Sequence, residues 1–202
     1  MPLLILLRHG QSTWNLENKF TGNVDVELTW QGTQEAIRAG DLLKPYSINM
    51  AYTSVLKRAI QTLEIVLHEI DKTIPITQSP ALNERNYGDL QGMDKRQMER
   101  RYGVAQVFLW RRSFDSAPPH GESLKDTFER VTTYYRNEIE PELRKNNSIL
   151  VVAHGNSLRA LMMYLENISP QEISEINIPT GVPRVYEYDA VFRLVEARYI
   201  KG

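Results

Sequence analysis

The chain has no cysteine in its 202 residues. That excludes disulfides, thiolate metal sites and a cysteine nucleophile, and it fits a reducing compartment. Net charge is nearly missing too: 24 Lys and Arg against 25 Asp and Glu leave a formal −1. So balanced a chain has no global cationic field to hold nucleic acid or an anionic membrane. The N-terminal apolar run, Leu3-Leu4-Ile5-Leu6-Leu7, has no basic flank and is too short for a membrane span or a signal peptide. A soluble cytoplasmic protein is expected. Repeats, low-complexity tracts and linker-like composition shifts are absent, so residues 1–202 are expected to form a single domain. Histidine is also scarce, with four in the chain, and this makes the placement of two of them informative.

The aliphatic run at 3–7 reads as a strand buried on both faces, and Arg8-His9-Gly10-Gln11-Ser12 follows it without a break. Ligands of α/β sheets bind just beyond strand C-terminal ends, which is where Arg8 and His9 fall. Gly10 permits an unusual backbone angle or a close approach. A lone strand-end histidine is ordinarily a packed residue with one hydrogen bond. Here the pattern occurs twice, because Ile149-Leu150-Val151-Val152-Ala153 runs into His154-Gly155-Asn156-Ser157.

Between these strands, Thr29 is expected to cap a helix over 30–43 that Pro45 ends. A short strand follows at 50–53. Apolar spacing then predicts a helix from Ser54 or Val55 to Ile70, with Arg58 in its first turn, either a solvated charge or a group at the strand end. Residues 74–77 read as an edge strand because of Pro75. The stretch 82–92 has no hydrophobic period and several charged or amide groups, as functional loops do. Asp94 caps a helix stopped by Gly103, and the next one ends in Trp110-Arg111-Arg112. Nothing local distinguishes this arginine pair from solvated charges. A helix is expected over 123–143 and another over 157–166, with a capping box at Ser169–Glu172. The last strands are expected at 185–188 and 192–199. His68 and His120 read as residues without a functional role. The expected fold is α/β: a three-layer sandwich with a mostly parallel central sheet flanked by helices. A partly helical cap over the strand C-terminal ends is expected at about 82–122.

If His9, His154, Arg8, Arg58 and some of Lys95, Arg111 and Arg112 converge beyond the two strands, the pocket is strongly cationic. Such cations repel one another unless an anion neutralises them, and arginine forks suit phosphoryl oxygens. The sequence shows no HExxH, no aspartate pair of suitable spacing and no P-loop, so no metal site is expected. Protein cations would then stabilise a transferring phosphoryl group, a neutral imidazole would be the nucleophile and Glu84 the acid/base.

The chain resembles the cofactor-dependent phosphoglycerate mutases of the histidine phosphatase superfamily. The resemblance rests on Arg-His-Gly-Gln-Ser-Thr-Trp-Asn from Arg8, Phe-Thr-Gly from Phe20 and Tyr-Thr-Ser-Val-Leu-Lys-Arg-Ala from Tyr52. It continues through Leu-Asn-Glu-Arg-Asn-Tyr-Gly-Asp-Leu-Gln-Gly from Leu82, Trp-Arg-Arg from Trp110, Ala-His-Gly-Asn-Ser-Leu-Arg-Ala from Ala153 and Asn-Ile-Pro-Thr-Gly-Val-Pro from Asn177. It implies that His9 is the phosphorylated nucleophile and Glu84 the proton donor and acceptor, with Arg8, Arg58 and His154 holding the phosphoryl group. It also implies that Asn15, Thr21, Gly22, Tyr87, Lys95, Arg111, Arg112, Gly155 and Asn156 line the substrate site. The implied reaction interconverts 3- and 2-phosphoglycerate without metal, primed by 2,3-bisphosphoglycerate, in glycolysis and gluconeogenesis. The nearest rival is a phosphatase of the same superfamily acting on bisphosphoglycerate or a sugar phosphate. The implied partners are small-molecule phosphoglycerates, with neither nucleic acid nor membrane, as a monomer or a homo-oligomer. Longer relatives carry an insertion near 116–121 and a C-terminal tail over the site. This chain ends at Lys201-Gly202, so cover is expected from 82–122 alone, with easier escape of 2,3-bisphosphoglycerate.

Overall fold

The computed structural model describes residues 1–200; Lys201 and Gly202, on which the expectation of a missing tail falls, lie outside the described residues. Strand β1 (Leu3–Arg8) is built from the first aliphatic run. Its side chains alternate in where they go, as strand pleating requires. Leu4 and Leu6 enter one buried cluster and Ile5 and Leu7 another. A four-residue helix α1 (Thr13–Leu16) follows, with Ser12 and Asn15 closing a capping box. Helix α2 (Trp30–Leu43) starts at the N-cap Thr29, whose side chain accepts from the Gly32 N–H.

Strand β2 (Met50–Thr53) leads into α3 (Lys57–Glu69), which begins two or three residues later than the apolar spacing suggests, with Leu56 as its N-cap. Strand β3 (Ile76–Gln78) is the exposed edge, and Ile74 and Pro75 stay outside it. Proline has no N–H to give to the ladder, but the Pro75 carbonyl still accepts from the Ala51 N–H at 2.9 Å. Two short 3₁₀ turns, at Pro80–Leu82 and Gly88–Leu90, bracket the polar loop.

Helices α4 (Lys95–Tyr102) and α5 (Val104–Arg112) meet at Gly103. With Phe20 and Leu90 they form a small cluster of their own around Met98, Val107 and Trp110. The long helix expected at 123–143 is interrupted: α6 (Leu124–Tyr134) passes through a π segment at Tyr135–Ile139 into α7 (Glu140–Arg144). Pro141 explains the break, because it cannot donate to the carbonyl four residues back and its ring crowds that position.

Strand β4 (Ile149–Ala153) is wholly buried, and α8 (Gly155–Glu166) follows it, two residues earlier than expected. The Ser169–Glu172 capping box forms, Ser169 N–H to Glu172 and Glu172 N–H to Ser169 Oγ. It closes only a 3₁₀ turn, Glu172–Ser174. The chain completes the sheet with β5 (Arg184–Tyr188) and β6 (Leu194–Tyr199). Phe192, expected in the last strand, instead sits in the connecting turn at φ +60°, stacked on Tyr188.

Strand order is β3-β2-β4-β1-β5-β6. The first four are mutually parallel, β5 runs antiparallel to β1, and β6 runs antiparallel to β5. Helices α2 and α3 cover one face, where Ala39, Leu43, Leu63 and Val66 join Ile5 and Leu7. Residues of α6, the π segment, α7 and α8 cover the other with Leu4, Leu6 and Val151. The result is the expected three-layer sandwich. Its consequence for function is the central β1–β4 pair, in register from Leu4↔Ile149 to Arg8↔Ala153. The His9 N–H continues the ladder to the Ala153 carbonyl at 3.0 Å, so the two His-Gly segments leave the sheet side by side.

Candidate active site

His9 and His154 stand at these adjacent strand ends, 2 % and 0 % exposed, with ring centroids 5.0 Å apart. The His9 Nδ1 lies 2.7 Å from the Gly10 carbonyl. A carbonyl can only accept, so Nδ1 carries the proton and Nε2 keeps its lone pair. Arg58 Nε approaches that Nε2 at 3.3 Å. Burial, and then Arg58 and Arg8, hold His9 well below the usual imidazole pKa, which keeps the ring neutral. His154 is held low by burial first, then by Arg58, His9 and Arg8. Its Nε2 meets Ser54 Oγ at 2.7 Å, while its buried Nδ1 has no partner.

The backbone around His9 is fixed by close packing with α2. A Cβ on Gly10 would collide with the Gly32 carbonyl, and one on Gly32 with the Gln11 backbone. Glycine at position 10 is therefore needed for the close approach rather than for a special backbone angle. Thr62 ties this loop to the neighbouring helix: its Oγ1 accepts from the Gly10 N–H at 3.1 Å and donates to the Arg58 carbonyl at 2.7 Å. Glu35 holds the other side by accepting from the Gln11 N–H at 2.8 Å.

Arg58, in the first turn of α3, is 1 % exposed, and burial lowers its pKa to about 10. It remains charged at neutral pH. Its two terminal nitrogens donate to the Gly22 and Val24 carbonyls at 2.8 and 2.9 Å, so the guanidinium is locked in place. Arg8 donates to the Ile178 carbonyl at 2.7 Å and keeps a buried Nε without a partner. Glu84 is anchored by one oxygen: Oε1 accepts from the backbone N–H groups of Arg85 at 2.8 Å and Asn156 at 3.0 Å. Oε2 makes no described hydrogen bond and lies along the wall beside Gly155.

These groups open onto a small cleft of about 160 Å³. Its walls include Arg8, His9, Asn15, Thr21, Gly22, Arg58, Glu84, Tyr87, Lys95, Arg111, Arg112, Gly155 and Asn156. Every residue singled out from the sequence is thus on the cleft wall except His154, which lies fully buried beside His9. Arg111 and Arg112, indistinguishable from surface charges by local sequence, face inward because α5 ends at the cleft. Lys95 is lowered by burial and then, in part, by Arg111 and Arg8. Burial pushes the Tyr87 hydroxyl up, but Arg85 and the hydrogen bonds from Arg85 and Asn156 leave it below the usual phenol.

The structure adds wall residues that sequence reasoning missed: Lys19, Phe20, Arg159, Asn177 and Ile178. Arg159 carried a signal, an arginine directly before the apolar run Ala160-Leu161-Met162-Met163. The lining then holds seven cations (Arg8, Lys19, Arg58, Lys95, Arg111, Arg112, Arg159) against the one carboxylate of Glu84. In a chain of net charge −1, this is a concentrated anion site. Among the described residues no group of three or more His, Asp or Glu is placed to hold a metal ion, and no helix is long and apolar enough to cross a membrane.

A neutral buried histidine at the end of a parallel strand, ringed by fixed guanidinium groups, defines a class of phosphate-handling α/β proteins. Within that class, the chain belongs to the histidine phosphatase superfamily (branch 1), whose family model matches residues 4–197. It is 55 % identical over 201 residues to a 2,3-bisphosphoglycerate-dependent phosphoglycerate mutase of Cytophaga hutchinsonii, covering 100 % of this chain and 94 % of that one. It is 46 % identical to the mutase of the same name from Parabacteroides distasonis, covering 99 % and 92 %. Among solved structures, a mycobacterial glucosyl-3-phosphoglycerate phosphatase superposes with a TM-score of 0.85 at 22 % identity, covering 100 % and 99 %. That last likeness is one of fold.

Proposed function

We propose that this chain interconverts 3-phosphoglycerate and 2-phosphoglycerate through a phosphohistidine, dependent on 2,3-bisphosphoglycerate and independent of metal. The observation that carries this reading is a second group of cations. Arg8 and Arg58 surround His9, while Lys95, Arg111 and Arg112 come from α4 and α5. A phosphatase for a single phosphate needs the first group only; a bisphosphorylated glycerate needs both. The full-length likeness to mutases at 46–55 % identity supports the same reading.

In this proposal, 2,3-bisphosphoglycerate is both the priming donor and the intermediate, and so a substrate. The lone pair of His9 Nε2 attacks phosphorus, the phosphorus–oxygen ester bond breaks, and Glu84 gives a proton to the departing hydroxyl oxygen. Arg58 and Arg8 neutralise the equatorial oxygens, and the buried Nδ1 of the uncharged His154 donates a hydrogen bond to one of them. The unanchored Oε2 suits Glu84 to the proton transfer, and two backbone donors on Oε1 fix its direction. In the return step, Glu84 takes the proton from the hydroxyl of the bound monophosphate as that oxygen attacks the phosphohistidine. Asn15, Thr21, Gly22, Tyr87, Gly155 and Asn156 orient the glycerate, and residues 82–122 act as the cap of a single domain. The reaction belongs to glycolysis and gluconeogenesis, and we place the protein in the cytoplasm.

The test is a coupled assay for 2-phosphoglycerate, with and without added 2,3-bisphosphoglycerate. Product formation that rises steeply with traces of the bisphosphate is expected. Release of inorganic phosphate as the main product would make the chain a phosphatase instead.

A further inference from the structure

Two buried arginines, Arg85 and the cleft-wall residue Arg159, have no carboxylate to pair them. Arg85 and Arg159 are 0 % and 4 % exposed, and among the described residues neither forms an ion pair. Their guanidinium groups instead grip the end of α5. Arg85 donates to the Arg111 carbonyl at 2.9 Å and to the Tyr87 hydroxyl at 3.0 Å. Arg159 donates to the Arg112 carbonyl at 3.1 Å, to the Ile173 carbonyl and to Asn156 Oδ1 at 3.0 Å. Asn156 Nδ2 in turn reaches the Tyr87 hydroxyl at 3.2 Å.

The carbonyls of Arg111 and Arg112 lie past the last hydrogen bond of α5, which runs from the Ser113 N–H to the Leu109 carbonyl. Helix C-terminal carbonyls are left without partners and carry the negative end of the helix dipole. Cations suit them, yet a lysine or a water would suffice if the aim were only to end the helix. Burying two guanidinium groups without a counter-ion is costly. Burial brings Arg159 down to about 10, with Arg85 and Arg112 pushing the same way, and it still stays protonated at neutral pH.

We infer that Arg159, with Arg85 beside it, is a positioning residue that sets the place of the Arg111–Arg112 clamp for the second phosphate. This rests on the mutase reading in taking a bisphosphorylated glycerate as ligand. The grip joins three parts of the site that are distant in sequence: the loop carrying Glu84, the end of α5 and the start of α8. It leaves the phosphoryl group at His9 to a different set of contacts, through Arg58, Arg8 and Thr62.

The test compares the wild-type protein with Arg159→Met and Arg159→Lys, using two probes. Orthovanadate, a single tetrahedral oxyanion, reads the position at His9. Substrates of two anionic ends, 3-phosphoglycerate and 2,3-bisphosphoglycerate, read the clamp. For Arg159→Met, KM for 3-phosphoglycerate and the dissociation constant of 2,3-bisphosphoglycerate should rise tenfold or more. The vanadate inhibition constant should stay within about twofold, so that the loss is specific to ligands with two anionic ends. Arg159→Lys keeps the charge but has one donor point, so it should fall between the two. Unchanged KM in Arg159→Met overturns the inference. So does loss of vanadate and substrate affinity in equal measure, because that is what a merely structural arginine would produce. Failure of the wild-type protein to form 2-phosphoglycerate counts against the proposed function alone, since the ratio of the two binding constants still reads the clamp.

Discussion

On the proposed mechanism, His9 becomes a nucleophile through its surroundings more than through its own chemistry. One ring nitrogen is proton-loaded by a carbonyl that can only accept, and burial beside Arg58 and Arg8 keeps the ring neutral. Incubation with 2,3-bisphosphoglycerate should therefore leave an acid-labile, base-stable label that His9→Ala abolishes; label that persists there, or lies on His154, contradicts the assignment. Arg58→Ala should lower kcat by about 10²-fold or more, since a fixed charge beside the transferring group is lost, which steady-state kinetics would read. The lowered pKa of His9 also sets a sign for stability. In the unfolded chain the ring takes a proton near pH 6.5, and in the folded chain only well below it. Between those values the unfolded state binds more protons, so stability present above pH 6.5 is lost as pH falls through the window. Urea unfolding of His9→Asn should show a shallower loss between pH 6.5 and 5 than wild type, by up to about 1.4 kcal/mol per pH unit. Equal slopes would place the proton elsewhere.

Among elements, the strands with strong periodicity were legible from sequence and the breaks in helices were not. The β2 strand and α2 follow from apolar spacing, Thr29 and Pro45, because local pattern and tertiary burial agree there. The 123–143 helix looked continuous because its apolar stripe continues, whereas the π segment answers to one missing N–H at Pro141. The cleft was legible at its floor and less so at its wall. His9 and His154 announced themselves by repetition, but Arg111 and Arg112 owe their direction to where α5 stops, which no local pattern encodes. The same holds for Gly32, whose importance lies in its partner. It meets the Gln11 backbone so closely that an added Cβ must push α2 away from the His9 loop. Gly32→Ala should cost about 1–3 kcal/mol in stability by overpacking and lower kcat with little change in KM, measured by urea unfolding and steady-state kinetics. A variant as stable and active as wild type would show that the contact yields freely.

At the scale of the whole molecule, a chain near neutrality gathers seven of its 24 lysines and arginines in one cleft. The cleft's surplus of cations should draw anionic substrates at low salt and lose that advantage as the Debye length falls from about 10 Å at 0.1 M toward about 3 Å at 1 M. Accordingly kcat/KM should fall with ionic strength mainly through KM, while unfolding midpoints change little. Exhaustive chelation should leave the rate as it was. A chelator-sensitive rate restored by Mg²⁺ would mean that the cations here do not suffice.

The sheet order carries a consequence for how the molecule comes into being. Strand β4 lies between β2 and β1, although it is made long after both. Until it slides into that gap, His9 has no ladder partner and His154 no place beside it. A chain emerging from the ribosome thus carries His9 for most of its synthesis without the strand that sits beside it in the finished sheet. Long-range strand pairing is slow, so on the proposed mechanism activity regained on refolding should not precede the pairing of β4 with β1, and the assay becomes a clock for the closing of the sheet.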